Sequence, residues 1–376
     1  MFKQYFDIAG QPGRFPGLDN IRAIAIILVL LRHSVRFWEE PLDGAIWNLW
    51  YNGWLGVDLF FALSGFLITH HLLSKWPKSN YRSFIYSYFF KRALRILPLY
   101  TFIVLIALLG IIPFFQPDYP ITPYALLIHA VFLQDYIPFA SIVVSLWSLG
   151  VEEKFYLIAP VLVYCTQKYS STHVLACCAI VIIFITVLRV LVLLDITDAI
   201  SYTDFFWTFR APFHFSIVGV LSGAVIALLY SKYQLSLLSP RWNKVLQYLS
   251  IIILLLILMV ERWIEAEHWI FTGVIITLCS ILFAIILYCA LSITSSSESP
   301  INKLLRFIAK LAYPLYLIHL MIVPMVKVVC SSVFASQESV PFVAYFTVYL
   351  VLSLCAAIIL HLLVEKPFLI LKSRIQ

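Results

Sequence analysis

Arg22 and His33 stand eleven positions apart in an otherwise apolar run, LDNIRAIAIILVLLRHS. On an α-helix eleven steps of 100° return a side chain to within about 20° of its starting direction, about 16 Å further along the axis. A guanidinium at one end of a helix face and an imidazole at the other could hold an anion at the first point and move a proton at the second. Asp19 lies three positions before Arg22 and is placed to pair with it. A snorkelling arginine and a hydrogen-bonded core histidine fit the same spacing.

Other ionisable groups fall in or beside apolar runs, where charge is costly and marks candidate function. Asp58, in GVDLFFALSGFLITHH, lies near an outer end, where it could orient His33 or be solvated at the interface. Ser64 and Gly65, in the same run, are small enough to let helices approach closely. In KRALRILP, Arg92 and Arg95 share a face at i and i+3, as a phosphate clamp or as positive anchors, and Pro98 falls in the first turn of a helix expected over 95–115. In SLWSLGVEEKFYLIAP, Glu152 and Glu153 point about 100° apart, so one faces the bundle interior and Lys154 is placed to neutralise the other. An interior carboxyl there would serve a proton relay or act as a neutral hydrogen-bond donor. Arg189, Arg210 and His214 sit in outer halves of their runs, to line a polar cavity or to snorkel. In LAYPLYLIHLMIVP, Tyr316 and His319 share a face, and in HLLVEKPF, Glu365 is placed to pair with a base such as Arg92 or Arg95.

The elements that must position these groups follow from composition. Of 376 residues 62% are hydrophobic and 12% charged, about half the charge of an ordinary soluble chain. That excludes a soluble globule, a disordered chain and a nucleic-acid-binding protein, and it requires a bilayer. Apolar runs predict helices over 19–38, 53–73, 95–115, 143–165, 173–194, 206–230, 245–264, 269–293, 306–330 and 341–364. The segment 122–140 is punctuated by prolines and polar residues and reads as interfacial or re-entrant. Bases crowd 75–95, 231–244, 294–310 and the tail, whereas 195–205 carries Asp195, Asp198 and Asp204 without a base. The positive-inside rule then predicts an all-α polytopic bundle of about ten transmembrane helices with both termini cytoplasmic. Loop bases account for much of the net charge of +7. The seven cysteines read as small buried hydrophobes, neither disulfides nor metal ligands. Lys3, Asp7, Pro12 and Arg14 interrupt the first residues, so the first run reads as a retained anchor and not a cleaved signal. Ser295–Ser297 is the one low-complexity piece, and no linker marks a second domain. Residues 1–376 are therefore expected to form a single integral-membrane domain with an extracytoplasmic loop over 116–142.

Two classes fit: a transporter or flippase that uses the polar groups as a path, and a membrane-embedded group-transfer enzyme. The cytoplasmic arginine pair, together with a histidine and carboxylates toward the outer half, favours the enzyme. Taken in order, LDNIRAIAIILVLLRH, GVDLFFALSGFLI, KRALRILP, SLWSLGVEEKFYL, LAYPLYLIH and VEKPF resemble the motifs of the acyltransferase-3 family, bacterial integral-membrane O-acyltransferases, from about Leu18 to Phe368. The resemblance implies transfer of an acyl group, acetyl above all, from acyl-CoA to a hydroxyl of an extracytoplasmic envelope saccharide, by a multi-pass inner-membrane protein that needs no metal. It implies Arg22, Arg92 and Arg95 as phosphate contacts, His33 as catalytic base and Glu152 as the functional member of its pair, with Asp58 beside them. Asp19, Arg189, Arg210, His319 and Glu365 remain further candidates. Some relatives append a soluble hydrolase-like domain, for which about ten residues after Glu365 are expected to leave no room. Lys366 stands where many relatives have arginine. The motifs do not separate exopolysaccharide, capsule, lipopolysaccharide and peptidoglycan as acceptors.

Overall fold

The computed structural model describes residues 15–36, 38, 42–77, 79–195, 200–234, 239–263, 269–293, 299–334 and 341–374. The readings of the first fourteen residues, of Asp198 and of Ser295–Ser297 lie outside the described residues. In chain order the helices are α1 (Pro16–Arg36), α2 (Ala45–Tyr51), α3 (Gly56–Lys75), α4 (Tyr81–Leu108), α5 (Pro123–Ala130), α6 (Trp147–Lys168), α7 (Ser171–Asp195), α8 (Tyr202–Phe205), α9 (Phe213–Tyr233), α10 (Pro240–Val260), α11 (Trp269–Ala290), α12 (Pro300–Val333), α13 (Phe342–Leu360) and α14 (Lys366–Ser373). Among the described residues the protein is all-helical, a polytopic membrane bundle, and each predicted run has its long helix.

Among the described residues seven helical segments are long and apolar enough to cross a bilayer on length and composition alone. The long helices outside that set, α1, α4 and α6, are the ones that carry Arg22, Arg92 with Arg95, and Glu152. Each carries three or more charged residues, among them the groups that the sequence marks for chemistry. Over 122–140 the chain forms only the eight-residue α5 and short turns. Eight residues rise about 12 Å, too little for a hydrocarbon core of about 30 Å.

Helix ends follow local chemistry. Thr122, Ser239 and Ser299 each precede a proline, and their side chains accept from the backbone N–H three residues on. Both ends of α4 differ from the expected 95–115. The basic stretch before it is already helical, so α4 begins at Tyr81 and Pro98 lies inside the helix. There its missing N–H removes one backbone bond. The far end stops early at Gly110, whose φ of +61° suits glycine. Its N–H donates to Ala107 and the N–H of Ile111 donates to Ile106, which satisfies two terminal carbonyls.

α3 is the central helix, packed most extensively on α9 and also against α1, α6 and α11. Helices in lipid associate through close packing of small residues. A Cβ on Gly65 would overlap the carbonyl of Val220, and one on Gly223 would overlap that of Ala62. The buried Arg189 ties α7 to its neighbours by donating to the carbonyls of Gly273 (2.9 Å) and Phe215 (2.6 Å). It is a staple between helices and lines neither cavity described below.

The 122–140 segment is held by buried polar groups. Lys154 donates to Asp135 (2.6 Å) and to the carbonyl of Phe132 (2.7 Å), so it neutralises this loop carboxylate and not Glu153. Asp135 also accepts from the N–H of Phe213. Burial pushes its carboxyl above the ordinary range, and Lys154 works against that shift. His129 lies between the Tyr100 hydroxyl (2.9 Å) and the N–H of Ile142 (3.2 Å), and burial holds its imidazole down to about 4. All seven cysteines are free thiols, but Cys177 and Cys355 are exposed on the outside of the bundle and not buried as expected, because their helix faces meet lipid instead of protein.

Candidate active site

Two cavities lie along the inner faces of α1, α3, α6 and α12. The larger, about 440 Å³, opens at the end of the bundle where α3 ends and α4 begins. Its mouth carries His71, Lys91, Arg92, Arg95 and Lys372, and Arg22 and Glu152 line its walls. The smaller, about 50 Å³, lies toward the opposite end and is lined by His33, His319, Arg32, Arg36 and Arg210. Val57 and Tyr316 line both. The helix face shared by Arg22 and His33 thus runs from one cavity to the other.

In the larger cavity Arg22 donates to Asp19 at 2.8 Å, the pairing their spacing suggests. Glu152 accepts from the Ser64 hydroxyl at 3.0 Å, so the small pair Ser64–Gly65 serves both packing and polarity. Glu153 is not among the residues lining this space. The polar wall continues to Ser148, whose Oγ lies 2.7 Å from the Tyr316 hydroxyl. Lys372 reaches the mouth because the chain turns through a π-helical segment, His361–Glu365, and lays α14 back against α4.

The two histidines of the smaller pocket meet edge to face, with ring centroids 4.8 Å apart. His33 Nδ1 is 2.9 Å from the carbonyl of Val29, four residues earlier. A carbonyl only accepts, so Nδ1 carries the proton and the lone pair of the neutral ring is on Nε2. His319 repeats the arrangement, with Nδ1 2.8 Å from the Tyr316 carbonyl. Its Nε2 is buried without a hydrogen-bond partner. Two basic nitrogens therefore serve one small space.

Asp58 does not supply the third group of a histidine–carboxylate set. Both of its oxygens accept from Arg210, at 2.8 and 2.6 Å, in a fully buried fork. The same guanidinium lies over the rings of Trp54 and Trp147, both of which wall the pocket. Asp58 and Arg210 shape the pocket that holds His33. Glu365 likewise pairs with His361 (2.6 Å) and not with Arg92 or Arg95. His214 stacks on Tyr136 of the 122–140 segment. Arg32 lies against Tyr51 and Tyr202, and Arg36 donates to the Tyr202 hydroxyl at 2.9 Å. Ser148, His71, Lys91, Lys372, Arg32 and Arg36 join the two cavities without any sequence signal that separates them from ordinary helix polar residues.

An all-helical membrane protein in which Arg22, Arg92, Arg95, Glu152, Arg210 and two histidines line two cavities sharing one tyrosine is built for polar chemistry inside a bilayer. Residues 15–362 match the acyltransferase-3 family, whose profile is described as an acyltransferase domain. The chain belongs to this family of membrane acyltransferases. It is similar to the peptidoglycan O-acetyltransferase OatA of Listeria monocytogenes serovar 1/2a, 26% identical over 328 residues that cover 81% of this chain and 48% of the relative. It is equally similar to the O-acetyltransferase OatA of Staphylococcus aureus strain NCTC 8325, 26% identical over 337 residues covering 84% of this chain and 52% of the relative. The chain spans about half the length of these curated relatives. No solved structure matches it.

Proposed function

We propose that this protein moves an acyl group, acetyl above all, from cytoplasmic acyl-CoA to a hydroxyl of an extracytoplasmic envelope saccharide. The reading includes ten transmembrane helices, cytoplasmic termini and residence in the inner membrane. The observation that carries it is the meeting of a basic-mouthed cavity with a two-histidine pocket at Tyr316. A cavity of about 440 Å³ falls within the usual range of small-molecule sites, roughly 300–1,000 Å³. Guanidinium groups of Arg22, Arg92 and Arg95 suit phosphates held at the mouth. The acyl carbon must then reach about 16 Å deeper, the rise from Arg22 to His33, and the extended arm of coenzyme A has that form. His33 Nε2 takes the proton of the acceptor hydroxyl, and Glu152, held by Ser64, faces the thiol side of the transfer.

Peptidoglycan is the first acceptor to test, because the Listeria relative is named for it. Cells lacking the protein are complemented with wild type, His33→Ala or Arg22→Ala, and envelope glycans are compared by NMR for ester signals. Loss of esters in the deletion and in both variants, with normal protein levels, is the expected result. Full acylation in His33→Ala defeats the mechanism. Unchanged esters with accumulation of a solute would make the protein a transporter.

A further inference from the structure

We propose that Tyr316, backed by Ser148, holds the carbonyl oxygen of the acyl group while it is transferred. The inference deepens the acyl-transfer reading and rests on it. Tyr316 and Val57 are the two residues that line both cavities, and of these only Tyr316 has a side-chain polar atom. An acyl carbonyl that starts in the donor cavity and meets a hydroxyl in the histidine pocket must pass this phenol. Oxyanion donors act when they stand about 3 Å from the oxygen on which charge develops, in a site closed to water.

The phenol is held in place. Its oxygen lies 2.7 Å from Ser148 Oγ on α6, and Ser148 is buried. Ser148 Oγ also lies 3.4 Å from the Ser145 carbonyl, but the phenol is its much shorter contact; with the serine proton on the phenol oxygen, the phenol O–H points onward into the junction. A donor that itself accepts a hydrogen bond is polarised and strengthened. The base stands alongside: Tyr316 and His319 are one turn apart on α12 with ring centroids 5.8 Å apart, and His319 in turn meets His33. Donor and base flank the same point from neighbouring turns.

The step closes chemically. The acceptor oxygen attacks the thioester carbon, and the carbonyl π pair moves onto the oxygen facing Tyr316. Histidine Nε2 takes the acceptor's proton. The tetrahedral intermediate collapses, the C–S bond breaks with its electron pair on sulfur, and the histidine proton neutralises the thiolate. The products are one ester and one thiol, and Tyr316 keeps its own proton throughout.

The test uses the purified full chain in nanodiscs, acetyl-CoA as donor, chitopentaose as surrogate acceptor and thiol release as readout. Removal of one oxyanion donor lowers kcat by about 10²–10³, so Tyr316→Phe is expected to lose that much while KM for acetyl-CoA stays within about twofold. Ser148→Ala is expected to lower kcat more modestly, again with KM unchanged. A merely structural role would move thermal stability or KM and leave no selective loss of kcat. Wild-type kcat in Tyr316→Phe overturns the proposal and leaves acyl transfer standing. Should Tyr316→Phe fail to fold, Ser148→Ala decides, and full kcat there overturns it equally. Absence of thiol release by the wild-type protein would sink the acyl-transfer reading and this inference with it.

Discussion

Asp58 and Arg210 offer the sharpest test of what the histidine pocket is made of. They form a two-pronged ion pair at 2.6–2.8 Å, and their side chains are 2% and 3% exposed. Breaking one partner of a buried pair leaves an uncompensated charge and costs about 3–5 kcal/mol, whereas removing both charges together is often nearly neutral. Asp58→Asn and Arg210→Met should therefore each destabilise the protein by that amount. The double variant should lie far above their sum. It still loses the stacking of the guanidinium on Trp54 and Trp147, worth about 0.5–2 kcal/mol for each contact, so a residual deficit of about 1–4 kcal/mol is expected. The coupling energy is then about 2 kcal/mol or more, in the upper part of the range for residues in contact. Equilibrium unfolding in detergent, following the four members of the double-mutant cycle, measures it. Additive losses would refute the argument, since they would mean that the fork is not a mutually dependent pair. Turnover supplies a second readout. With Asp58 acting through Arg210 on the pocket walls, the double variant regains activity along with stability. A stable but inactive double variant would return Asp58 to the direct role beside His33 that its sequence position suggests.

Arg92→Ala and Arg95→Ala should each raise KM for acetyl-CoA by about 10–100-fold while leaving kcat within a fewfold, because a charged hydrogen bond to a phosphate is worth about 1.5–3 kcal/mol; steady-state kinetics in nanodiscs checks this, and a selective fall in kcat would contradict a phosphate role. Gly65→Val and Gly223→Val should each abolish folded protein, since the added side chain meets the backbone carbonyl of the opposing helix, and a monodisperse peak for either on size exclusion would show that the α3–α9 crossing yields. The 122–140 segment should loosen on acidification: His129 is neutral in the folded segment down to about pH 4, while in the unfolded chain it takes its proton near 6.5. Its contribution is complete above pH 6.5 and falls with pH below it, by about 2 kcal/mol at pH 5; amide exchange over 123–142 should show this, and His129→Gln should remove the dependence.

How far the sequence reaches is set by the range of each interaction. Arg22 with Asp19, and the common face of Arg22 and His33, depend only on helix geometry within one run, so 3.6 residues per turn suffices to place them. Among the described residues the long helices were legible because a bilayer demands long apolar runs, and the helices with too many charges to meet that demand are those that turn Arg22, Arg92, Arg95 and Glu152 toward the larger cavity. The partner of a buried charge is a different matter. Asp58 finds Arg210 across 152 residues, and Lys154 finds Asp135 instead of its neighbour Glu153. Spacing along one helix narrows each group to a face, but the helix that faces it follows from the order of packing. Here that order rests on Gly65 and Gly223, which let α3 and α9 come within backbone contact and so bring Asp58 on α3 to Arg210, just before α9. Small residues, which carry no chemistry themselves, thus decide which charges meet. Charge inventory alone offers Asp58 two surroundings, beside His33 or solvated at the interface, and the small Gly65 reads as a close-packing residue without showing that it sends the carboxylate to Arg210.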